Sequence, residues 1–260
     1  MHRLVFVFLA ASVCTSGADA PPTPSPVLVE LFTSEGCSSC PPADTLLQRL
    51  DGAQPVPGAQ VIVLSEHVDY WNHAGWVDPY SSHTFTDRQS GYSARFGLQS
   101  PYTPEMVVDG ETEFLGSDAH QANRAIGKAR GRQKVPIKIS GLSFENGGFR
   151  AHVETGALPQ KLGNHKAEIY LVLALNQAEA QVQRGENQGR HLTHVAVVTS
   201  LRKIGTLEKG KGFAQDVQLK IDRQHQGSLR TIVFVQEPAE GRVLGAALQS
   251  ISVEKVSGIW

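Results

Sequence analysis

Cysteine is scarce in this chain, with three in 260 residues, at positions 14, 37 and 40. That count excludes a fold stapled by several disulfides. It also leaves no second Cys-x-x-Cys to complete a four-cysteine zinc clip. No apolar run approaches the roughly 20 residues of a membrane-spanning helix. Neither sign of charge predominates, 24 basic side chains standing against 25 acidic ones for a net charge of −1. Bulk electrostatic attraction to nucleic acid or to an anionic membrane is thereby excluded, and no block of like charge suggests a binding tail. A Gly-x-Ser-x-Gly hydrolase elbow and a phosphate-binding glycine loop are both missing. Partners are expected to be recognised by shape and local chemistry.

What is present begins with a leader. Residues 1–20, "MHRLVFVFLAASVCTSGADA", have a basic start, an apolar run from Leu4 to Val13, and small residues ending in Ala18-Asp19-Ala20. This is the layout of a cleaved secretory signal peptide, with an end at Ala18 or Ala20, and it predicts a periplasmic or secreted protein. A proline-rich linker, Pro21–Pro26, follows. With 40% hydrophobic and 19% charged residues the remainder can bury a real core, and its length suits two domains.

Organisation supports that division. "VLVELF" (27–32) and "VIVLSEHV" (61–68) read as buried strands flanking a helical repeat of Ala43, Leu46, Leu47 and Leu50. The unit is β-α-β with parallel strands. A long insertion, 69–100, contains a helix over 82–96. Strands at 105–108 and 113–115 join through an Asp109-Gly110 turn, and a last helix follows, with Ser117 placed to cap it. That order is the order of a thioredoxin-type domain, expected over 27–133. Beyond it, eight short alternating runs predict an antiparallel β-sandwich over 134–260. The expected fold class is α/β plus all-β.

The pair Cys37-Ser-Ser-Cys40 lies between the first strand and the first helix. Once the leader departs with Cys14, these are the remaining cysteines. A disulfide across two residues closes so small a loop that it constrains the unfolded chain little, which argues for chemistry over stapling. Exchange needs a thiolate, and a helix N-terminus stabilises one through its free N–H groups and dipole. Cys37 is read as the exposed attacking thiol and Cys40 as the buried resolving thiol. Pro41 and Pro42 suit a first helical turn, and Glu35 nearby opposes a thiolate. A structural disulfide and a two-thiol metal carrier are the competing readings.

The segments "FTSEGCSSCPPAD", "HVDYWNHAGWVDPY", "TDRQSGYSARFG" and "YTPEMVVDG", with "GENQGRHLTHVAVV" further on, resemble an exported bacterial family with thioredoxin-like folds, domain of unknown function 1223. The resemblance implies that Cys37 and Cys40 are the redox pair. It also implies that Pro104 is a cis-proline beside the disulfide, with Thr103 aligning a substrate peptide. Ser-Ser replaces the Gly-Pro of typical thioredoxins, and no Trp precedes Cys37.

Two further clusters carry polar chemistry. "EHVDYWNHAGWVDPY" gathers Glu66, His67, Asp69, His73 and Asp78 with Trp71 and Trp76, read either as a substrate-binding wall or as a structured loop. In "GENQGRHLTH", Glu186, Asn187, Arg190, His191 and His194 could form a polar site, but a strand-to-strand turn is the favoured reading. The expectation is therefore a thiol–disulfide oxidoreductase needing no dissociable cofactor and no resident metal. Catalysis is expected at Cys37 and Cys40, and substrate contacts at Thr103, Pro104, Trp71 and Trp76. Partners are a protein or small thiol/disulfide, without nucleic acid or a membrane span. The alternative is a non-catalytic binding or assembly module with a stable Cys37–Cys40 disulfide.

Overall fold

The run expected at 27–32 is the centre of strand β1 (Ser25–Thr33) in the computed structural model, which describes residues 23–145, 148–159, 166–220 and 228–252. The expected leader, 1–20, lies outside those residues. Helix α1 (Pro41–Ala53) and strand β2 (Ala59–His67) follow, and β1 and β2 pair in parallel, from Ser25 beside Ala59 to Thr33 beside His67. The insertion holds a short 3₁₀ turn (Tyr70–Ala74) and helix α2 (His83–Phe96), whose N-terminus is capped by the Ser82 hydroxyl. Strands β3 (Glu105–Val108) and β4 (Thr112–Leu115) form the expected hairpin around Asp109-Gly110, both at positive φ. Helix α3 (Ala119–Ala129) completes this half. Its cap is Asp118, accepting from the Gln121 N–H at 2.9 Å, and not the expected Ser117.

Strands β5 (Ile137–Glu145), β6 (Gly148–Thr155), β7 (Lys166–Gln181), β8 (His191–Glu208), β9 (Phe213–Lys220), β10 (Ser228–Gln236) and β11 (Val243–Ser252) account for the rest. Two of the eight expected runs, "AEIYLVLAL" and "AEAQVQRGE", are joined in the 16-residue β7, because Asn176-Gln177 between them carries no break. β5, β6 and β9 form a three-stranded antiparallel sheet. The other four join the first half in one eight-stranded mixed sheet, in the order β11-β10-β7-β8-β2-β1-β3-β4. The junction is a parallel pairing of β8 with the free edge of β2, at Ser65 and Val197. Strands from both sides of residue 133 thus share a sheet.

Alternation within buried strands sorts the core into layers. Val27, Val29 and Leu31 of β1 meet Leu47 and Leu50 of α1 and Ile126 of α3. Phe32 meets Tyr92 of α2 on the opposite face, and Leu28 meets Phe85. A separate apolar layer, including Phe149, Val153, Ile169, Leu171 and Val233, lies between the two sheets. The ends of β1, β2 and β8 and the start of α1 converge at one place in this frame, and the two cysteines lie there.

Candidate functional site

After Thr33 the chain turns through Ser34, Glu35 and Gly36 to Cys37. The Cys37 N–H donates to the Ser34 carbonyl (3.1 Å) and the Cys40 N–H to the Cys37 carbonyl (3.2 Å), coiling this segment into the helix start. Cys40 is the N-cap of α1, and its carbonyl accepts from Ala43 N (2.8 Å) and Asp44 N (3.1 Å). Pro41 and Pro42 fill first-turn positions whose N–H groups lack helical partners anyway. The two sulfurs are joined as a disulfide, with the Cα atoms 5.4 Å apart.

Cys37 was expected to be exposed, and it is not. Both cysteines are 0% exposed, whereas Ser38 and Ser39 between them face solvent. The reason is a cover. The Thr103 hydroxyl donates to Cys37 Sγ at 3.4 Å, and Ser39 Oγ approaches the same sulfur at 3.4 Å. Trp71 Nε1 donates to Thr103 Oγ1 at 2.7 Å, so the insertion is tied over the disulfide. Gly36 permits this close approach, since a Cβ there would lie 3.2 Å from Trp71 Cβ and 3.3 Å from its carbonyl oxygen. The Thr103–Pro104 peptide bond is cis. Trp71 and Thr103 thus meet at the disulfide, with Pro104 next in the chain. Trp76 is engaged differently, donating from Nε1 to Glu35 Oε2 at 2.7 Å.

Buried ionisable groups gather at the same end of the sheet. His67 Nδ1 donates to Asp78 Oδ2 (2.7 Å), and the same oxygen accepts from the Glu35 N–H (2.8 Å). His194, on β8, packs its ring against His67 with centroids 4.7 Å apart. Its Nε2 is 3.9 Å from Glu35 Oε1 and its Nδ1 is 3.6 Å from Asp44 Oδ1. Glu35 Oε1, His67 Nε2 and both His194 nitrogens have no hydrogen-bond partner among the described residues. Burial and the nearby Asp78 charge hold the Glu35 carboxyl above the usual carboxylate range. Burial opposes ionisation of the His67–Asp78 pair, but their mutual attraction outweighs it, raising His67 and lowering Asp78. Among the described residues no group of three His, Cys, Asp or Glu side chains is arranged to hold a metal ion. Nor is any of their helices long and apolar enough to cross a membrane.

The second half of the chain also reaches the disulfide. Asn187, fully buried, donates from Nδ2 to the carbonyls of Glu35 and Cys37, both at 2.9 Å. Glu186 Oε2 accepts from the Ser38 hydroxyl (2.6 Å) and the Ser38 N–H (3.2 Å). A Gly-flanked Glu-Asn looks in sequence like any polar turn. Only the distant pairing of β8 with β2 reveals where it docks.

A helix-start disulfide at the end of a parallel strand pair, covered by an aromatic insertion, defines a class of mixed α/β protein. More particularly, the chain belongs to the family described as protein of unknown function, DUF1223, which matches residues 28–236. A crystal structure of an Agrobacterium tumefaciens protein shares the fold, with 24% identity and a TM-score of 0.65, over 93% of this chain and 99% of that one. HBP35 of Porphyromonas gingivalis does so with 17% identity and a TM-score of 0.64, over 93% of this chain and 80% of that one. No curated protein matches the chain.

Proposed function

We propose that this protein is an exported thiol–disulfide oxidoreductase with a thioredoxin-like first half. In the reduced form the Cys37 thiolate attacks a substrate disulfide, forming a Cys37–substrate disulfide and expelling one substrate thiolate. Cys40 then gives up its proton and attacks Cys37 Sγ. The Cys37–Cys40 disulfide forms and the second substrate sulfur leaves. The substrate gains two electrons and the dithiol loses two, and the reverse sequence oxidises a substrate dithiol.

The observation that carries this reading is the Thr103 hydroxyl on Cys37 Sγ, beside a disulfide at a helix start. A staple needs neither the helix terminus nor a hydroxyl aimed at the sulfur, whereas a thiolate is stabilised by both. Access requires the Trp71–Thr103 bond to open. Thr103, Pro104, Trp71 and Trp76 would then border the incoming disulfide.

A second reading, a binding or assembly module with a permanent disulfide, is favoured by one specific fact: Cys37 is fully buried. Trapping separates the two. A Cys40→Ser variant cannot resolve its mixed disulfide, so it should accumulate covalent adducts with substrate disulfides that thiol reagents release. A variant that folds and gathers none, even from small disulfides such as oxidised glutathione, sinks the oxidoreductase reading.

A further inference from the structure

The turn joining β7 to β8 is held against the Cys-x-x-Cys segment more firmly than a connection requires. Asn187 spends both amide protons on the carbonyls of Glu35 and Cys37. Gly185 (φ +78°) packs on the insertion, where a Cβ would lie 3.0 Å from the Ala74 carbonyl oxygen and 3.3 Å from Trp76 Cβ. One short segment therefore contacts both the disulfide loop and its cover. At its tip the exposed Glu186 carboxylate takes the Ser38 N–H and hydroxyl. Those two hydrogen bonds hold Glu186 below the usual carboxylate range, so it is ionised at neutral pH.

Resting on the oxidoreductase reading, in which Cys37 is the attacking thiol, we infer that Glu186 and Asn187 are positioning residues that set how readily Cys37 ionises. Asn187 fixes the turn on the Cys37 carbonyl. Glu186 places a negative charge one residue from the sulfur, held there by the Ser38 N–H and hydroxyl, where it opposes ionisation of the thiol. The effect is to keep Cys37 a reluctant nucleophile until the turn shifts. Other titratable groups lie around the same loop: Glu35 within it, Asp44 on α1, His67 on β2, Asp78 in the insertion and His194 on β8. The exposed Arg184 and Arg190 flank Glu186 on the turn. Of the carboxylates in this set Glu186 is the solvent-exposed one, and so its influence is removable by salt.

The test uses a chain carrying Cys14→Ser and Cys40→Ser, so that Cys37 is the sole thiol, and follows thiolate absorbance against pH. Glu186→Gln keeps the side-chain shape and an acceptor oxygen while removing the charge. The thiolate titration should move to lower pH, with about threefold more thiolate on its acid limb at low salt. The difference should collapse in 1 M salt, where the screening length is about 3 Å. In an Asn187→Ala background the same substitution should have little effect, because the turn is no longer seated. Coincident titrations at low salt, or a shift indifferent to salt, would overturn the role of Glu186. An undiminished effect in the Asn187→Ala background would overturn the role of Asn187. Neither result depends on exchange taking place, so failure here is distinct from failure of Cys40→Ser to trap a substrate.

Discussion

Glu105 shows what one buried carboxyl does to this molecule. It follows Pro104, is 0% exposed, and is held by Gln89 Nε2 at 2.8 Å, while its other oxygen has no partner among the described residues. Burial, more than any neighbouring charge, pushes its pKa up to about 7. An acid whose folded pKa exceeds its unfolded value binds more protons when folded. The resulting stability is complete below about pH 4.5 and is lost as pH rises toward 7. Linkage puts that loss at about 3 kcal/mol across the window. Glu66, raised by burial and by Glu30, and Asp109, raised by burial against the pull of Lys134, share the sign. Glu105→Gln keeps an acceptor for Gln89 and removes the charge. Denaturant unfolding at pH 5 and pH 8 should show the variant less pH-sensitive and more stable at pH 8. An unchanged slope would mean that Glu105 is solvated in solution. The sequence marks this residue only as a polar start to a short strand. Nothing local to it says that Gln89 and α2 will seal it in.

At the scale of elements, the strands and helices of the first half are legible because their apolar residues recur at helical or alternating spacing. Val27–Leu31 and Ala43–Leu50 are the plainest instances. The misses have local causes. Ser117 and Asp118 are equally good caps by residue type, and only the backbone chooses Asp118. The insertion is harder to read, since Tyr70, Trp71 and Trp76 are as suited to a core as to a binding wall. Two of them work through their indole N–H groups, Trp71 on Thr103 and Trp76 on Glu35. Covering the disulfide is therefore a property of the insertion as an element, latched by one hydrogen bond of about 1 kcal/mol. Trp71→Phe removes the latch and keeps the ring. Reduction of Cys37–Cys40 by a small dithiol should accelerate about fivefold in this variant, measured by quenching free thiols over time. An unchanged rate would show that the insertion does not gate the sulfurs.

The molecule as a whole is more continuous than a reading in two blocks suggests. The alternating runs beyond 133 foretell strands but not their partners, because pairing between distant strands leaves no local signal. The parallel bridge of β8 to β2 at Val197 and Ser65 makes one sheet from both halves. That same join carries Asn187 to the Cys37 carbonyl and His194 to Glu35. The cysteine pair was readable from sequence, but the second half's contribution to its surroundings was not. On the proposed function, Cys37–Cys40 is a working couple beneath a removable cover. Its most direct test is the equilibrium reduction potential of the folded protein in graded thiol–disulfide buffers. Reversible reduction is expected between about −270 and −120 mV, the range of exchanging couples. A pair that stays oxidised to about −300 mV and below would contradict it, as a structural disulfide would behave.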